Sequence, residues 1–461
     1  MAQQQATPLS LGTDNLAKLL AKYAVPAIVA TVTSALYNIT DSIFIGQGVG
    51  PLAMTALGIC MPIMSITAAF GAMVGVGGSS LASIRLGQGN KAAAFRILGN
   101  IVLLNVIFGV ATMAACLLFL DKLLFLFGAS EATIDFAHEY MSILLWGNVI
   151  THLYLGLNAI LRSTGYPTKS MVVMLISVGV NCVLDPLFIF GFDWGIAGSA
   201  YATVIAQTTT LIYELVHFAN PKHFLHFRRS IFRLRKDITL KIISIGMAPF
   251  LVQSCASLAS MLNNNALREY GGDLHIGAFS IVNRIAMLFI MIVNGLNQGM
   301  QPIVGYNYGA KLYDRVLKTL RMGIGWGVTI TTVGFLCAEL LPRQIAGCFA
   351  DASTPMGLEL IDLAAHAMRI VMMAMPIVGF QIVASNFFQS IGKPQRSIIL
   401  SMTRQVLFLV PLLIFMPRIW GIEGVWFCMP VADVAAAMLA GVLLTLQVRK
   451  LRHNPDSERS I

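Results

Sequence analysis

Charged residues are scarce in this sequence of 461 amino acids, since only 11% are Asp, Glu, Lys or Arg while 57% are hydrophobic. With a mean hydropathy of +0.76, the chain carries more apolar surface than one water-soluble core could bury. A polytopic membrane protein is therefore expected. The formal net charge is +10, but the basic residues fall in short breaks between apolar runs and form no stripe with aromatics. We therefore expect no nucleic acid partner.

The sequence also lacks the usual signatures of disulfides, metal sites and enzymes. Its seven cysteines are scattered through apolar segments without a Cys-x-x-Cys pair, which argues against structural disulfides. Its eight histidines show no metal-ligand spacing, and no nucleophile signature accompanies them. We therefore predict no metal site beyond a bound Na⁺ and no organic cofactor, and an intramembrane enzyme remains the weaker alternative.

Twelve apolar runs, each of roughly 20 residues or more, are separated by short polar, Gly- or Pro-bearing breaks. Their predicted limits are 16–46, 52–81, 93–119, 136–161, 169–190, 195–219, 240–267, 275–304, 316–341, 361–388, 397–417 and 421–448. Basic residues concentrate in the breaks after even-numbered runs. The positive-inside rule therefore places both chain termini in the cytoplasm.

The two halves of the chain resemble each other. LRSTGYPTKSMV around Pro167 matches FQSIGKPQRSII around Pro394, and GIAGSAYATVIAQ from Gly195 matches GIEGVWFCMPVAD from Gly421. The repeat unit therefore contains six spans, and an even number of spans gives both copies the same orientation. Such a repeat implies a pseudo-two-fold axis along the membrane normal, as in alternating-access transporters.

The predicted fold is an all-α polytopic membrane protein with twelve transmembrane helices in two pseudo-symmetric six-helix lobes around a central cleft. Residues 1–219 would form the N-terminal lobe, 220–239 a basic cytoplasmic linker, and 240–461 the C-terminal lobe with a short cytoplasmic tail. A channel is disfavoured, because no acidic ring or filter-like segment recurs in both halves.

Two carboxylates lie inside apolar runs, where an ionisable group usually meets a partner, a cavity or a transported ion. At a rise of 1.5 Å per residue, Asp41 and Asp185 both lie about 7–9 Å from the outer ends of their spans. Asn181 is one turn from Asp185, Tyr37 is one turn from Asp41, and Thr203 enters on span 6. This oxygen-rich set could bind Na⁺ or a shared proton, because two adjacent acids do not both stay ionised in low dielectric. The alternative is a pair of structural acids.

The second half carries a different set of polar groups. Asp433 in span 12 could pair with Arg284 or Arg369 as a buried ion pair, or it could contact a cationic substrate. The candidates for substrate contact or lobe packing are Tyr37, Gln207, Asn264, Arg284, Met291, Gln381 and Asp433.

Three stretches together resemble the multidrug and toxic compound extrusion (MATE) family, in its DinF/MepA-like branch: ALYNITDSIFIGQ in span 1, NCVLDP in span 5 and AGSAYATVIAQ in span 6. The resemblance implies a V-shaped pump that exports amphipathic, often cationic, drugs in exchange for H⁺ or Na⁺. It implies a cation-coupling site formed by Asp41, Asp185, Asn181, Thr203 and the backbone carbonyl of Ser199. It also implies bending of span 1 at Pro26.

From this resemblance we expect a monomer in a bacterial inner membrane, with membrane lipid and small amphipathic molecules as partners. Sodium-coupled relatives carry acids in spans 7 and 10, whereas this chain has asparagines at 263–265, which disfavours a C-terminal sodium site. A lipid-linked precursor flippase of the same superfold is the alternative function. Flippases add two spans and line the cleft with basic residues, and both features disfavour that reading here.

Overall fold

The computed structural model describes residues 10–349 and 354–453, and within these two stretches it contains helices and turns but no β-strand. The C-terminal tail expected after span 12 lies largely outside the described residues. The helices of the first half are α1 Ser10–Thr13, α2 Leu16–Gly48, α3 Pro51–Gly87, α4 Lys91–Leu118, α5 Leu120–Leu126, α6 Ile134–Trp146, α7 Asn148–Ser163, α8 Pro167–Pro186 and α9 Gly195–Ala219. A π-helical turn, Leu187–Gly191, continues α8.

The segment between the halves holds one 3₁₀ turn, Arg229–Ile231. The helices of the second half are α10 Lys236–Gly271, α11 Asp273–Gly309, α12 Tyr313–Leu340, α13 Pro342–Gly347, α14 Pro355–Val371, α15 Met375–Ser390, α16 Pro394–Met402 and α17 Val410–His453. A π-helical turn, Thr403–Leu409, joins α16 to α17.

These helices account for the twelve expected spans. Helices α6 and α7 form one span bent by 52°, and α14 and α15 form another bent by 53°. Helix α17 contains parts of two spans, because Gly421 interrupts it with non-helical backbone angles (φ 57°, ψ −136°). The all-α fold of two six-span bundles is therefore confirmed.

Local sequence explains where several helices begin. Asn15 caps α2 by accepting hydrogen bonds from the backbone N–H groups of Ala17 (3.0 Å) and Lys18 (3.3 Å). Proline, which needs no N–H partner in the first turn, begins α8 and α16 at the two repeat-related positions. The repeat-related Gly195 and Gly421 both adopt positive φ, 55° and 57°, a region that strongly favours glycine. The internal repeat thus reproduces the same turns in both halves.

The hydrophobic cores show how the two halves meet. We call the end of the molecule that holds α1 and residues 220–235 the linker side. At this end Leu11 of α1 and the first turns of α2, through Leu19, Leu20 and Tyr23, pack into a core otherwise built from the second half. Reciprocally, the first turns of α10 pack into a core of the first half, through Ile238 and Ile242.

At the opposite end each core comes from one half alone. The two halves are therefore interlocked at the linker side and separate at the other end.

Glycines permit the closest inter-lobe contacts. A Cβ on Gly77 of α3 would lie 2.1 Å from the carbonyl oxygen of Ile242 in α10, and one on Gly246 would lie 1.9 Å from that of Met73. The linker side is closed by direct contact between helix backbones.

Candidate functional site

Three helices of the first half bring the two predicted acids together. Asp41 of α2 is 7% exposed, Asp185 of α8 is fully buried, and their carboxyl groups lie close enough to interact electrostatically. The Ser199 hydroxyl of α9 donates a 2.6 Å hydrogen bond to Oδ1 of Asp41. Two neighbouring carboxyl groups in a low-dielectric site do not both stay ionised at low cost, so the arrangement suits a shared cation.

Neutral oxygens and one amide complete this cluster. With its amide nitrogen toward Asp185, Asn181 donates to Oδ2 of that residue at 2.6 Å. Its carbonyl oxygen then accepts from the hydroxyls of Thr203 (3.1 Å) and Tyr37 (3.0 Å). The Tyr37 and Thr203 hydroxyls are also within 3.3 Å of each other. We call these residues the acid site: Tyr37, Asp41, Asn181, Asp185, Ser199 and Thr203.

Helical spacing explains the convergence. Each of the three helices contributes two residues four positions apart, and such residues lie on one face. The acid site offers carboxyl, carbonyl and hydroxyl oxygens, which suit a hard cation such as Na⁺ and also a proton. Among the described residues no group of three or more His, Cys, Asp or Glu side chains could hold a metal ion.

Ser199 contributes more than its main chain. The resemblance assigned the backbone carbonyl to the cation site and gave little weight to the side chain. The structure brings the hydroxyl itself into contact with Asp41.

A second feature, the central cavity, lies between the two halves. It has a volume of about 600 Å³ and is lined by α2, α3, α7, α8, α10, α11, α15, α16 and the π-helical turn after α16. Amide side chains dominate its polar surface: Asn158, Gln253, Asn294, Asn297, Gln298, Gln301, Gln381, Asn386, Gln389 and Gln405. A cavity of this size fits a drug-sized molecule.

The residues predicted to contact substrate or to pack the lobes lie in three places: the acid site, the central cavity and the rest of the molecule. Met291 and Gln381 line the central cavity. Gln207 accepts a 2.5 Å hydrogen bond from the Thr151 hydroxyl, which joins α9 to α7. Asn264 and Arg284 are exposed and line neither the cavity nor the acid site.

The suggested partners of Asp433 were wrong. Its carboxylate accepts a 2.6 Å hydrogen bond from Nε of Arg404 and is not paired with Arg284. Arg369 lies 4.0 Å from Glu339 instead. The actual partner is Arg404, which lies within the π-helical turn of span 11 and was not among the predicted partners.

Helix α2 connects the acid site, the cavity and the second half. Its first turns are part of the second half's core, Thr31 and Ser34 line the cavity, and Asp41 lies in the acid site. Pro26 lies inside α2 near the end of the part packed into the second half. Since proline removes a helical hydrogen bond, it weakens the helix where the two parts join.

Sequence reasoning missed two buried charged residues of the first half. Arg162, read as a residue at a cytoplasmic break, is only 9% exposed and lines the central cavity. Glu214 of α9 is fully buried, and its Oε1 accepts a 3.1 Å hydrogen bond from Asn158 of the cavity wall. Glu214 lies in an apolar run, as Asp41 and Asp185 do, and this signal could have identified it.

An all-helical membrane protein with two repeated bundles, a central cavity and one closed end has the architecture of an alternating-access transporter. Comparison with known proteins gives the family. A family model described as MatE matches residues 26–187 and 249–414, well over half of the sequence. The chain belongs to the MatE family, as its sequence motifs indicated.

Individual proteins agree with this assignment. Multidrug export protein MepA of Staphylococcus aureus (strain MSSA476) is 24% identical over 437 residues, which are 93% of each chain. A solved outward-facing multidrug resistance MATE family transporter of the MOP superfamily is 25% identical, with a TM-score of 0.92 over 98% of this chain and 100% of that one. A MATE structure in the straight conformation is also 25% identical, with a TM-score of 0.90 over 97% and 100% of the two chains.

Proposed function

We propose that this protein is an antiporter that uses inward movement of H⁺ or Na⁺ to export small amphipathic molecules from a bacterial cell. The linker side then faces the cytoplasm, in keeping with its basic residues, and the interlocked arrangement is the outward-facing state. One chain supplies both the acid site and the cavity, so a monomer suffices. The relatives named multidrug export proteins support this substrate class.

The continuity of α2 is the observation that carries the proposal. Asp41 lies seven residues beyond Ser34 of the cavity wall, a rise of about 10 Å along one helix. The same helix is anchored in the second half by its first turns. A movement of α2 at the acid site therefore changes the cavity wall directly.

The cycle follows from the charge at the acid site. An emptied site holds the negative charge of both acids in a buried place, whereas a bound H⁺ or Na⁺ reduces that charge by one and lets α2, α8 and α9 pack closely. Loading and unloading therefore favour different positions of the outer part of α2. Because Pro26 weakens α2 between its first turns and the acid site, the part of the helix beyond it can tilt and alter the cavity at Thr31 and Ser34.

Cationic compounds, which the resemblance implies as substrates, meet no carboxylate among the described cavity-lining residues. The proposal therefore covers amphipathic compounds without a charge preference.

Transport in proteoliposomes tests the proposal. A pH gradient and a Na⁺ gradient would be imposed separately, and efflux of a cationic dye such as ethidium and of an anionic dye would be followed. We expect one gradient to drive export, and Asp41→Asn or Asp185→Asn to abolish it while expression stays normal. Asp135→Asn, at an exposed acid of the same half, is the matched control. Undiminished gradient-driven export in both acid-site variants would refute the assignment.

A further inference from the structure

The charge of the cavity wall is one-sided. Arg162 and Arg404 line the central cavity, and no Asp or Glu among the described residues does so. A pump for organic cations would be expected to place a carboxylate where its substrate binds. The wall offers the opposite charge.

Arg162 is the stronger of the two signals. This residue lies in the last turn of α7, is more than nine-tenths buried, and shares a helix face with Asn158 four residues earlier. Within the described part of the chain its guanidinium has no ion pair and no side-chain hydrogen bond. The nearby acid Glu214 bonds to Asn158 and forms no ion pair with Arg162.

An unpaired buried guanidinium is costly, because the protein does not replace the hydration that the charge has lost. Such a charge is retained most readily where a ligand supplies the missing partner. Arg162 opens onto the cavity and onto no described carboxylate, so the partner has to come from the cavity.

Arg404 adds donors on the opposite wall. Its Nε bonds to Asp433, which neutralises the charge and fixes the side chain. No other side-chain hydrogen bond ties the guanidinium within residues 10–349 and 354–453, so its remaining N–H groups are free to bond a ligand oxygen. Arg404 lies in a π-helical turn, a distortion that is frequent at functional sites.

We propose that the central cavity recognises an amphipathic molecule through an anionic group, such as a carboxylate, sulfonate or phosphate ester. Arg162 supplies the countercharge, while Arg404 and the wall amides supply neutralised or neutral donors. The proposal rests on the transport function proposed above and names its substrate class. A volume of about 600 Å³ fits a drug-sized anion rather than a two-chain lipid with its headgroup.

Equilibrium binding tests this assignment without any ion gradient. The full-length protein would be placed in nanodiscs of neutral lipid and titrated with three probes that share one body: pyrenebutyrate, pyrenebutanol and pyrenebutylamine. We expect the wild type to bind the anion most tightly. Arg162→Gln should weaken binding of the anion about tenfold or more, as for loss of a hydrogen bond to a charged group.

The neutral probe reports folding, because its affinity for Arg162→Gln should stay within about twofold of wild type if the loss is one charge-assisted contact. Arg162→Lys, which keeps the charge, should retain more of the anion's affinity than Arg162→Gln does. Arg96→Gln removes an exposed arginine of the same half and should change nothing.

Equal affinity of wild type and Arg162→Gln for the anion, or tighter binding of the amine by wild type, would overturn the proposal. Displacement of pyrenebutyrate by added phosphatidylglycerol would overturn the choice of a soluble substrate over a lipid headgroup. Because binding needs no gradient, these results are independent of coupling. If the anion does not bind through Arg162 but transport still depends on Asp41, the proposed substrate class is wrong and the antiporter function is still supported.

Discussion

Adding one methyl group at Gly77 should push the transporter out of the interlocked conformation. The new Cβ would lie 2.1 Å from the Ile242 carbonyl oxygen and 2.9 Å from the Gly246 nitrogen, whereas ordinary contact begins at 3.4 Å. Both obstacles are backbone atoms, so no flexible side chain can move away. Helices α3 and α10 would have to separate by about 1 Å, and overpacking of this kind typically costs about 1–3 kcal/mol.

That cost falls on one conformation only. Contact between α3 and α10 closes the linker side, so Gly77→Ala destabilises the interlocked state relative to any state in which this side is open. A difference of about 2 kcal/mol changes the ratio of the two populations roughly thirtyfold. The change should therefore be visible as a shift in population rather than as unfolding.

Distance measurements between spin labels would show the shift. In a cysteine-free background, Leu126→Cys on α5 and Met356→Cys on α14 place labels on highly exposed sites of the two halves, away from the linker side. Gly77→Ala should move the distance distribution toward shorter values. Gly325→Ala, where an added Cβ meets no atom within 4 Å, is the matched control. Identical distributions for wild type, Gly77→Ala and Gly325→Ala would show that the contact at Gly77 does not set the conformation.

Three other substitutions test separate parts of the account. Ser199→Ala removes the hydroxyl that is hydrogen-bonded to Asp41. It should lower the apparent affinity for the driving ion about tenfold, measured as the transport rate at a series of ion concentrations. An unchanged dependence on ion concentration would exclude a role for this hydroxyl. Pro249 lies inside α10 and lines the cavity. If this proline eases bending of α10, Pro249→Ala should slow transport without reducing thermal stability. A normal transport rate would contradict this. Arg315→Ala removes hydrogen bonds to the carbonyls of Leu11 (3.1 Å) and Asp14 (2.8 Å) and should expose the linker side to cysteine-directed labelling; unchanged labelling would show that these bonds do not hold it closed.

The acid site was accessible from sequence because its geometry is mostly local. Pairs four residues apart lie on one helix face whatever surrounds them, and equal depth along the spans follows from helix rise. Only the approach of α2, α8 and α9 to one another had to be supplied by the fold. The resemblance to a known family gave that arrangement as well.

The cavity was harder to foresee, because burial there depends on contacts across the two halves. Arg162 lies near the end of a span, where the positive-inside rule reads an arginine as a topology signal. Its burial depends on how α7 packs in the folded protein, which no local pattern encodes. Arg404 and Asp433 pair within the second half, and that contact depends on how the π-helical turn packs against α17, which no local pattern encodes either.

The sequence also did not show that the first turns of α2 pack into a core of the second half and those of α10 into a core of the first half. Leu19 and Tyr23 look like ordinary apolar residues of span 1, and Ile242 like one of span 7. Periodicity shows that such residues are buried but not which half buries them. The boundary between the two packed halves therefore falls inside spans 1 and 7 rather than at the linker between the halves.

The proposed transport cycle requires that Asp41 and Asp185 share one exchangeable cation. Infrared difference spectroscopy of the purified protein, titrated with acid and with Na⁺, measures this directly through the carbonyl stretch of protonated carboxyl groups. We predict that wild type and Asp135→Asn share a band component that Asp41→Asn and Asp185→Asn both lose. The same component in all four proteins, unaffected by acid or Na⁺, would contradict the claim.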